Sequence, residues 1–495
     1  MEQSKKTLYY LFLVINIIAW SIIGLTRNVM GDDALEAISW GELVEFGTNK
    51  HPPLSGWLMG GFYHLFGQHD FAAYFLGALC VTVGFLFIYK LSKLLLDEEV
   101  AACASLVMVP CYYYTYTLFY ENFNCNILSM ALWPMIAYYF YKSLKTEKTT
   151  DWVLFGITSA LGALTKYQVI FLFLALFIYL LIYRRDCFKH KGVYISVLCG
   201  SVVILPHIIW LIQHDFFSFA YMFDRTEVSL HNTPAFMIKF GRIFFPVKFI
   251  IDQVLSVLPC ILLFGFAALQ AKNISVFKEN KSGIAFVWIL CFLPIIFQSL
   301  MGAVSNTRVM GMWGSMMVSF FGLLLFYQFP VKFNKDTFMF VYKWVCSLTL
   351  IWLISMLLFS LLQTKLHMGF PYQQIIPEMN SKWDAATNNA PLKYIGGDGR
   401  YVYKIKEYNP RPTTVILETF GYENPWVKPA DIDKYGAIII GETKKEAIGQ
   451  VEYSGIILPK DYKLNVIKCK FEIKNKIGKT KKFKFWYVII PPKHV

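Results

Sequence analysis

The stretch from Gly31 to Leu58 reads "GDDALEAISWGELVEFGTNKHPPLSGWL". An apolar run, Leu8–Leu25, precedes it, and a second apolar run begins at Phe71. A charged loop between two such runs is typical of a chain that leaves a membrane and returns to it. The acids in this first loop are Asp32, Asp33, Glu36, Glu42 and Glu45.

The composition of the whole chain agrees with a membrane protein. Its 495 residues are 56% hydrophobic, 18% aromatic and only 16% charged, and the mean hydropathy is +0.45. A soluble protein does not bury so much apolar surface, so we predict an α-helical polytopic membrane protein with about eleven transmembrane helices. The predicted spans are Leu8–Leu25, Phe71–Tyr89, Val100–Leu118, Ile127–Tyr141, Val153–Leu164, Val169–Tyr183, Val193–Ile212, Phe249–Leu269, Gly283–Met301, Trp313–Phe329 and Phe338–Leu362.

The charge pattern predicts the orientation in the membrane. The net charge is +14, but the lysines lie mostly between apolar segments and in the tail, which favours membrane lipid over nucleic acid as the partner. Lys and Arg concentrate in alternate loops, and positive loops stay in the cytoplasm. The positive loops therefore predict a cytoplasmic N-terminus. An odd number of spans then predicts an extracytoplasmic C-terminus, in the cytoplasmic (inner) membrane.

The chain divides by composition into two predicted domains. Residues 1–362 form a transmembrane domain whose first outer loop, 26–70, carries the candidate chemistry. Residues 363–495 hold short β-rich runs such as "TTVILE", "GAIIIG" and "FKFWYVII", which predict a small α/β domain outside the membrane. Within the outer loop, Ala34–Phe46 and Leu54–Phe66 have helical apolar spacing. The ten cysteines lie almost all in apolar runs, so no disulfide framework is expected.

Three carboxylates are candidates for chemistry. Asp33 and Glu36 have the spacing of a capping box, which gives Asp33 a structural role. Asp32 has no such explanation, and a carboxylate just outside the membrane can take a proton from an attacking hydroxyl or hold a metal or a sugar. Glu121 is the acid of an aromatic loop, "YYYTYTLFYENFNCN", at a depth where an ionised group is costly.

Four basic side chains are candidates for binding an anion. The prolines of "KHPPL" fix the backbone after Lys50 and His51, and either side chain could reach a phosphate. Lys166 and Arg308 lie at predicted outer ends of spans, where the positive-inside rule does not place cations. They could extend to lipid headgroups, or they could stabilise a phosphate that departs with negative charge.

Several pieces of this sequence resemble the integral-membrane GT-C glycosyltransferases, in the branch of protein O-mannosyltransferases and the lipid A aminoarabinose transferase. The acidic pair in "GDDALEAISW", the Pro-Pro-Leu of "HPPLSGWL", and "GALTKYQ" match that branch. "LPHIIWLIQHDF" and "PADIDKYGAIII" resemble a bacterial subgroup. The resemblance implies a GT-C fold and transfer of a sugar from a polyprenyl-phosphate donor to an acceptor at the outer membrane face.

The resemblance also implies roles for the candidate residues. Asp32 corresponds to the leading loop acid of the family and Asp33 to its partner, although the family pair is often Asp-Glu. Lys166 would approach the donor phosphate, and Glu121 would be an acid of the second outer loop. Some relatives have Lys directly before the prolines, where this chain has His51 after Lys50, so which of the two meets phosphate stays open.

Other functions remain open on the sequence alone. A transporter predicts ionisable residues near mid-span and an internal repeat, and neither is evident. A flippase of lipid-linked glycans would gather outer cations as a transferase does. The sequence leaves open the sugar and the acceptor, which is lipid A, another glycolipid, an envelope polysaccharide or a protein. It also leaves open a divalent metal bound by the two aspartates.

Overall fold

The apolar runs and the loops between them fold into α-helices, and the tail adds a sheet. The computed structural model describes residues 2–27, 29–67, 70–216, 218–219, 234–271, 281–329, 335–366, 369–416, 427, 429–453 and 463–493. Helices α1 to α10 are Gln3–Leu25, Asp32–Leu43, Leu54–Phe66, Asp70–Ser92, Glu98–Leu106, Leu118–Glu121, Cys125–Thr146, Thr149–Ala163, Ile170–Tyr183 and Lys191–Gln213. Helices α11 to α19 are Ala235–Lys239, Gly241–Ala271, Lys281–Ser305, Phe321–Gln328, Lys335–Leu362, Tyr372–Thr387, Gly399–Tyr408, Pro429–Tyr435 and Lys444–Tyr453. Strands β1 to β5 are Tyr394–Gly397, Thr414–Ile416, Ala437–Gly441, Asn465–Lys474 and Thr480–Ile490.

Within these ranges, six helices are long and apolar enough to cross a membrane: α1, α4, α10, α12, α13 and α15. Each coincides with one of the predicted spans. The remaining predicted spans lie in helices that are shorter, less apolar or interrupted. The segment Val100–Leu118, for example, contains α5, a turn, and a π-helical stretch over Tyr113–Thr117. The chain is an integral membrane protein.

One compact unit comprises residues 1–22, 45–58 and 74–356. Its buried core includes Trp133, Trp152 and Phe286. Small residues allow its helices to approach closely. A Cβ added at Gly156 of α8 would lie 2.3 Å from the Ser196 carbonyl oxygen of α10. Lipid is as apolar as a helix surface, so close packing of this kind stabilises helix pairs in membranes.

A second compact unit comprises residues 23–44, 59–73 and 357–495. Its five-stranded sheet has the order β2-β1-β3-β5-β4. Strand β1 pairs in parallel with β2 and β3, and β5 pairs antiparallel with β3 and β4. The small C-terminal α/β domain is therefore confirmed, and the three β-rich runs form β2, β3 and β5. The domain boundary at residue 362 stays a prediction.

The two amphipathic pieces of the loop 26–70 are helices, as expected. They are α2, Asp32–Leu43, and α3, Leu54–Phe66. The capping box at Asp33 is wrong, because α2 begins at Asp32 with Gly31 before it and without a side-chain cap. Asp32 and Asp33 are both in the first turn, where negative charge is favourable beside the helix dipole. All ten cysteines are free thiols.

Candidate active site

In the second unit, Asp32 forms an ion pair with a lysine that the sequence analysis did not single out. The partner is Lys404 of α17, whose side chain is fully buried, whereas the Asp32 side chain is 34% exposed. The Lys404 ammonium also donates to the Arg400 carbonyl oxygen at 2.9 Å. Asp32 is therefore a fixed carboxylate with one accessible side.

Helix α17 also contacts two further acids of α2, Glu36 and Glu42. The Tyr403 hydroxyl donates to Glu36 at 3.0 Å, and Lys406 pairs with Glu42. Asp32 and Glu36 are one turn apart and therefore lie on the same face of α2. The Tyr408 hydroxyl accepts the Met30 N–H at 3.1 Å, just before α2 begins. Much of the acid cluster therefore serves to fix α2 against the C-terminal region.

Burial governs the electrostatics of Lys404. Removal from water lowers the pKa of the Lys404 ammonium. The Asp32 carboxylate opposes this shift because an adjacent negative charge stabilises the ammonium. The charge on each group therefore depends on the other.

A cavity of about 830 Å³ in the same unit is lined by residues of the α2–α17 contact. Glu42 and Lys406 lie on its wall together with the ion pair of Asp384 and Arg411, whose nearest atoms are 2.7 Å apart. Two ion pairs, Glu42–Lys406 and Asp384–Arg411, thus place charged groups on its wall, which suits a ligand that carries hydroxyl groups.

In the first unit, the "KHPPL" elbow is closed by the side chain of Thr48. The Thr48 hydroxyl donates to the His51 carbonyl oxygen at 2.8 Å and accepts the His51 N–H at 2.9 Å. The second proline, Pro53, is followed by Leu54, whose N–H donates to the Leu164 carbonyl oxygen at 3.0 Å. This bond joins the elbow to the segment that carries Lys166.

Lys166 lies in a buried, aromatic and polar environment. Its side chain donates to the Asn126 side-chain oxygen, and its ammonium is 5.7 Å from the centre of the Trp313 ring. Lys166 is only 8% exposed. Burial first, and then the positive charges of Lys166 and Lys50, lower the pKa of His51 to about 3. His51 is therefore neutral at physiological pH, and Lys50 is the charged member of the pair before the prolines.

We expect His51 to make the protein sensitive to acid. Between pH 6.5 and about 3 the unfolded chain binds a proton at His51 that the folded chain does not, so stability falls as the pH falls. The loss is at most about 1.4 kcal/mol for each pH unit. Thermal unfolding of the wild type and of His51→Gln across this window should show a shallower loss for the variant. If the stability of the two proteins fell equally with pH, His51 would not contribute to the acid sensitivity.

Glu121 and Arg308 lie in the same unit, Glu121 at a helix end and Arg308 in a loop. Glu121 ends the short helix α6, five residues before the Asn126 that binds Lys166. Arg308 is half-buried and precedes the 3-10 turn Gly311–Gly314 that carries Trp313. In the described part of the chain, Arg308 makes no hydrogen bond or ion pair.

The structure thus groups part of the predicted set. Lys50, His51 and Lys166 lie together in the first unit, while Asp32 and Asp33 belong to the second. The sequence analysis missed Asn126 and Lys404. The amide-rich "ENFNCN" was a signal for Asn126, because such a run is typical of a helix start. Asn124 caps α7 there and accepts the Asn126 N–H. For Lys404, no sequence signal separates a buried lysine from an exposed one.

Comparison with known proteins relates this arrangement to a family and a fold. Residues 50–210 match the family model described as dolichyl-phosphate-mannose-protein mannosyltransferase. The range includes Lys50, His51, Glu121 and Lys166. A search of curated proteins finds no match.

Two solved structures match along nearly the whole chain. The crystal structure of ArnT from Cupriavidus metallidurans bound to undecaprenyl phosphate has a TM-score of 0.64 at 12% identity, covering 97% of this chain and 97% of that one. The apo structure of the same protein has a TM-score of 0.51, with equal identity and coverage. The resemblance drawn from the sequence is therefore confirmed: residues 50–210 match the mannosyltransferase family model, and the chain as a whole has an ArnT-like GT-C fold.

Proposed function

We propose that this protein transfers a sugar from a polyprenyl-phosphate-linked donor to an envelope acceptor on the outer face of the cytoplasmic membrane. The observation that supports the donor most directly is the whole-chain likeness to a protein solved with undecaprenyl phosphate. The buried Lys166, with Lys50 nearby, supplies positive charge of the kind that a lipid-linked phosphate requires.

In the proposed reaction, an acceptor oxygen attacks the anomeric carbon of the sugar. The bond from that carbon to the phosphate oxygen breaks, and its electron pair leaves with the polyprenyl phosphate. Lys50, Lys166 and Arg308 stabilise the departing phosphate, because fixed cations act where negative charge develops. His51 is neutral and therefore contributes through hydrogen bonding.

Asp32 is the acid we propose to act on the acceptor. Its carboxylate, held in place by the ion pair with Lys404, can receive the proton of an alcohol as the new bond forms. For a phosphate acceptor no base is needed, and Asp32 orients the nucleophile. In this proposal Asp33 is the catalytic partner of Asp32 in the first turn of α2. Glu121 is a further catalytic acid, from the second loop.

The acceptor in this proposal is lipid A, another glycolipid, an envelope polysaccharide or a protein. The proposed topology has the N-terminus in the cytoplasm and residues 363–495 outside it. The polar cavity beside Glu42 and Lys406 offers a place where a polyhydroxylated acceptor could bind.

Transfer can be tested with purified protein in proteoliposomes. Radiolabelled sugar on a polyprenyl-phosphate carrier should appear covalently on envelope glycolipid or protein, and Lys166→Met should reduce this at least about a hundredfold. The alternative is a polytopic transporter or flippase of lipid-linked glycans. Label that crosses the bilayer while still joined to its carrier would favour that alternative.

A further inference from the structure

The β4–β5 hairpin of the second unit ends at a membrane-spanning helix. The Asn475 side-chain amide donates to the Leu362 carbonyl oxygen at 2.6 Å, and the Lys476 N–H donates to Leu361 at 3.1 Å. These carbonyls belong to the last turn of α15, where helical partners are missing. The hairpin therefore caps a candidate span, and its turn lies where that span ends.

The same turn is strongly basic. We call this group of exposed side chains the lysine tip, and its members are Lys474, Lys476, Lys479, Lys481 and Lys482. At its centre Ile477 is 69% exposed. Glu472 is the hairpin's acid, and its carboxylate is 3.6 Å from the Lys482 ammonium. The tip thus combines a large positive charge with one projecting apolar side chain.

Structural needs of the hairpin account for only part of this charge. Lysines on an edge strand such as β4 discourage pairing with other chains, and cations near a helix C-terminus are favourable. Yet Glu472 is the single acid of the described hairpin, residues 465–490, and its exposed pair with Lys482 offsets little of the repulsion among the five lysines. Neither need explains why the charge is concentrated around an exposed isoleucine at the end of a span.

We propose that the lysine tip binds the anionic phospholipid headgroups of the membrane that α15 crosses, with Ile477 entering the headgroup region. Lysines beside a span attract anionic lipid, and an apolar side chain adds burial at the interface. The contact fixes the C-terminal sheet to the membrane surface. It is independent of the reaction, so it holds whether or not the protein transfers sugar.

The test uses the full chain in nanodiscs of phosphatidylcholine alone or with phosphatidylglycerol. Hydrogen exchange of peptides covering residues 474–482 should be slower with phosphatidylglycerol, and high salt should remove the difference. The variant K476Q/K479Q/K481Q should lose it. The control K444Q/K445Q/K468Q removes equal charge from exposed lysines of the same unit. Lys444 and Lys445 lie on α19, outside the hairpin. Lys468 pairs with Trp486, about 14 Å along β5 from Lys482 and beyond the screening length of about 10 Å, so the control should keep the difference.

Affinity gives a second measure. The affinity of the solubilised chain for short-chain phosphatidylglycerol, measured by titration, should fall about fivefold for each tip lysine removed. Equal exchange of the wild-type tip in both lipids would overturn the proposal, and so would equal losses in the two triple variants. Because the wild-type comparison needs no substitution, the proposal stays testable even if a variant fails to fold.

Discussion

Replacing Lys166 by methionine should reduce sugar transfer about a hundredfold or more, mainly in kcat. The ammonium is buried beside Asn126 and Trp313, where the effective dielectric constant is low and a charge acts strongly on a departing phosphate. Methionine keeps an apolar stem of similar length. The main structural cost is the lost hydrogen bond to Asn126, about 1–3 kcal/mol.

The measurement is initial-rate transfer in proteoliposomes over a range of donor concentrations, with thermal unfolding of the same preparations. Lys145→Met is the matched control, because Lys145 is exposed, belongs to the same unit and bonds to the Leu94 carbonyl oxygen. The control should keep its activity. Full transfer by a folded Lys166→Met protein would exclude the proposed role in binding donor phosphate.

Asp32→Asn should have the largest effect on stability as well as an effect on transfer. Asparagine leaves the Lys404 ammonium buried without its counter-charge, which costs about 3–5 kcal/mol for a fully buried pair and less here because Asp32 is partly exposed. Lys404→Met removes the buried charge itself and should therefore destabilise much less. A fall in transfer with Asp32→Asn alone would not separate catalysis from folding.

The double variant Asp32→Asn/Lys404→Met separates the two roles. Stability should recover, since no uncompensated charge remains, whereas transfer should stay low if Asp32 acts on the acceptor. Unfolding temperatures and transfer rates of all three variants provide the comparison. Recovery of transfer together with stability would show that Asp32 is only a structural partner of Lys404.

The Asp32→Asn deficit should depend on pH. Burial already lowers the pKa of Lys404 to about 7 beside Asp32, and loss of the Asp32 charge lowers it further. Between the variant pKa and the wild-type pKa, the folded variant has released the Lys404 proton that the folded wild type still holds, so the variant gains stability relative to the wild type as the pH rises. The deficit should therefore be largest in acid and shrink as the pH approaches about 7, where Lys404 loses its charge in the wild type too. A deficit that stays constant over this window would contradict the buried-charge explanation.

Local pattern was enough to predict much of the fold. Apolar runs identified a membrane protein, helical spacing identified α2 and α3, and alternating β-rich runs identified β2, β3 and β5. These features depend on neighbours a few residues apart, so the sequence records them directly. The family resemblance rested on short motifs, and the fold it implied is confirmed.

The sequence alone determined the class of protein, most of its elements and a set of charged candidates. Only the tertiary structure decided which of those charges are buried and what they contact. Asp32 meets Lys404 across 372 residues, and Lys166 meets Asn126 across 40. The strength of a charge depends on its distance to a partner and on the surrounding dielectric, and folding sets both.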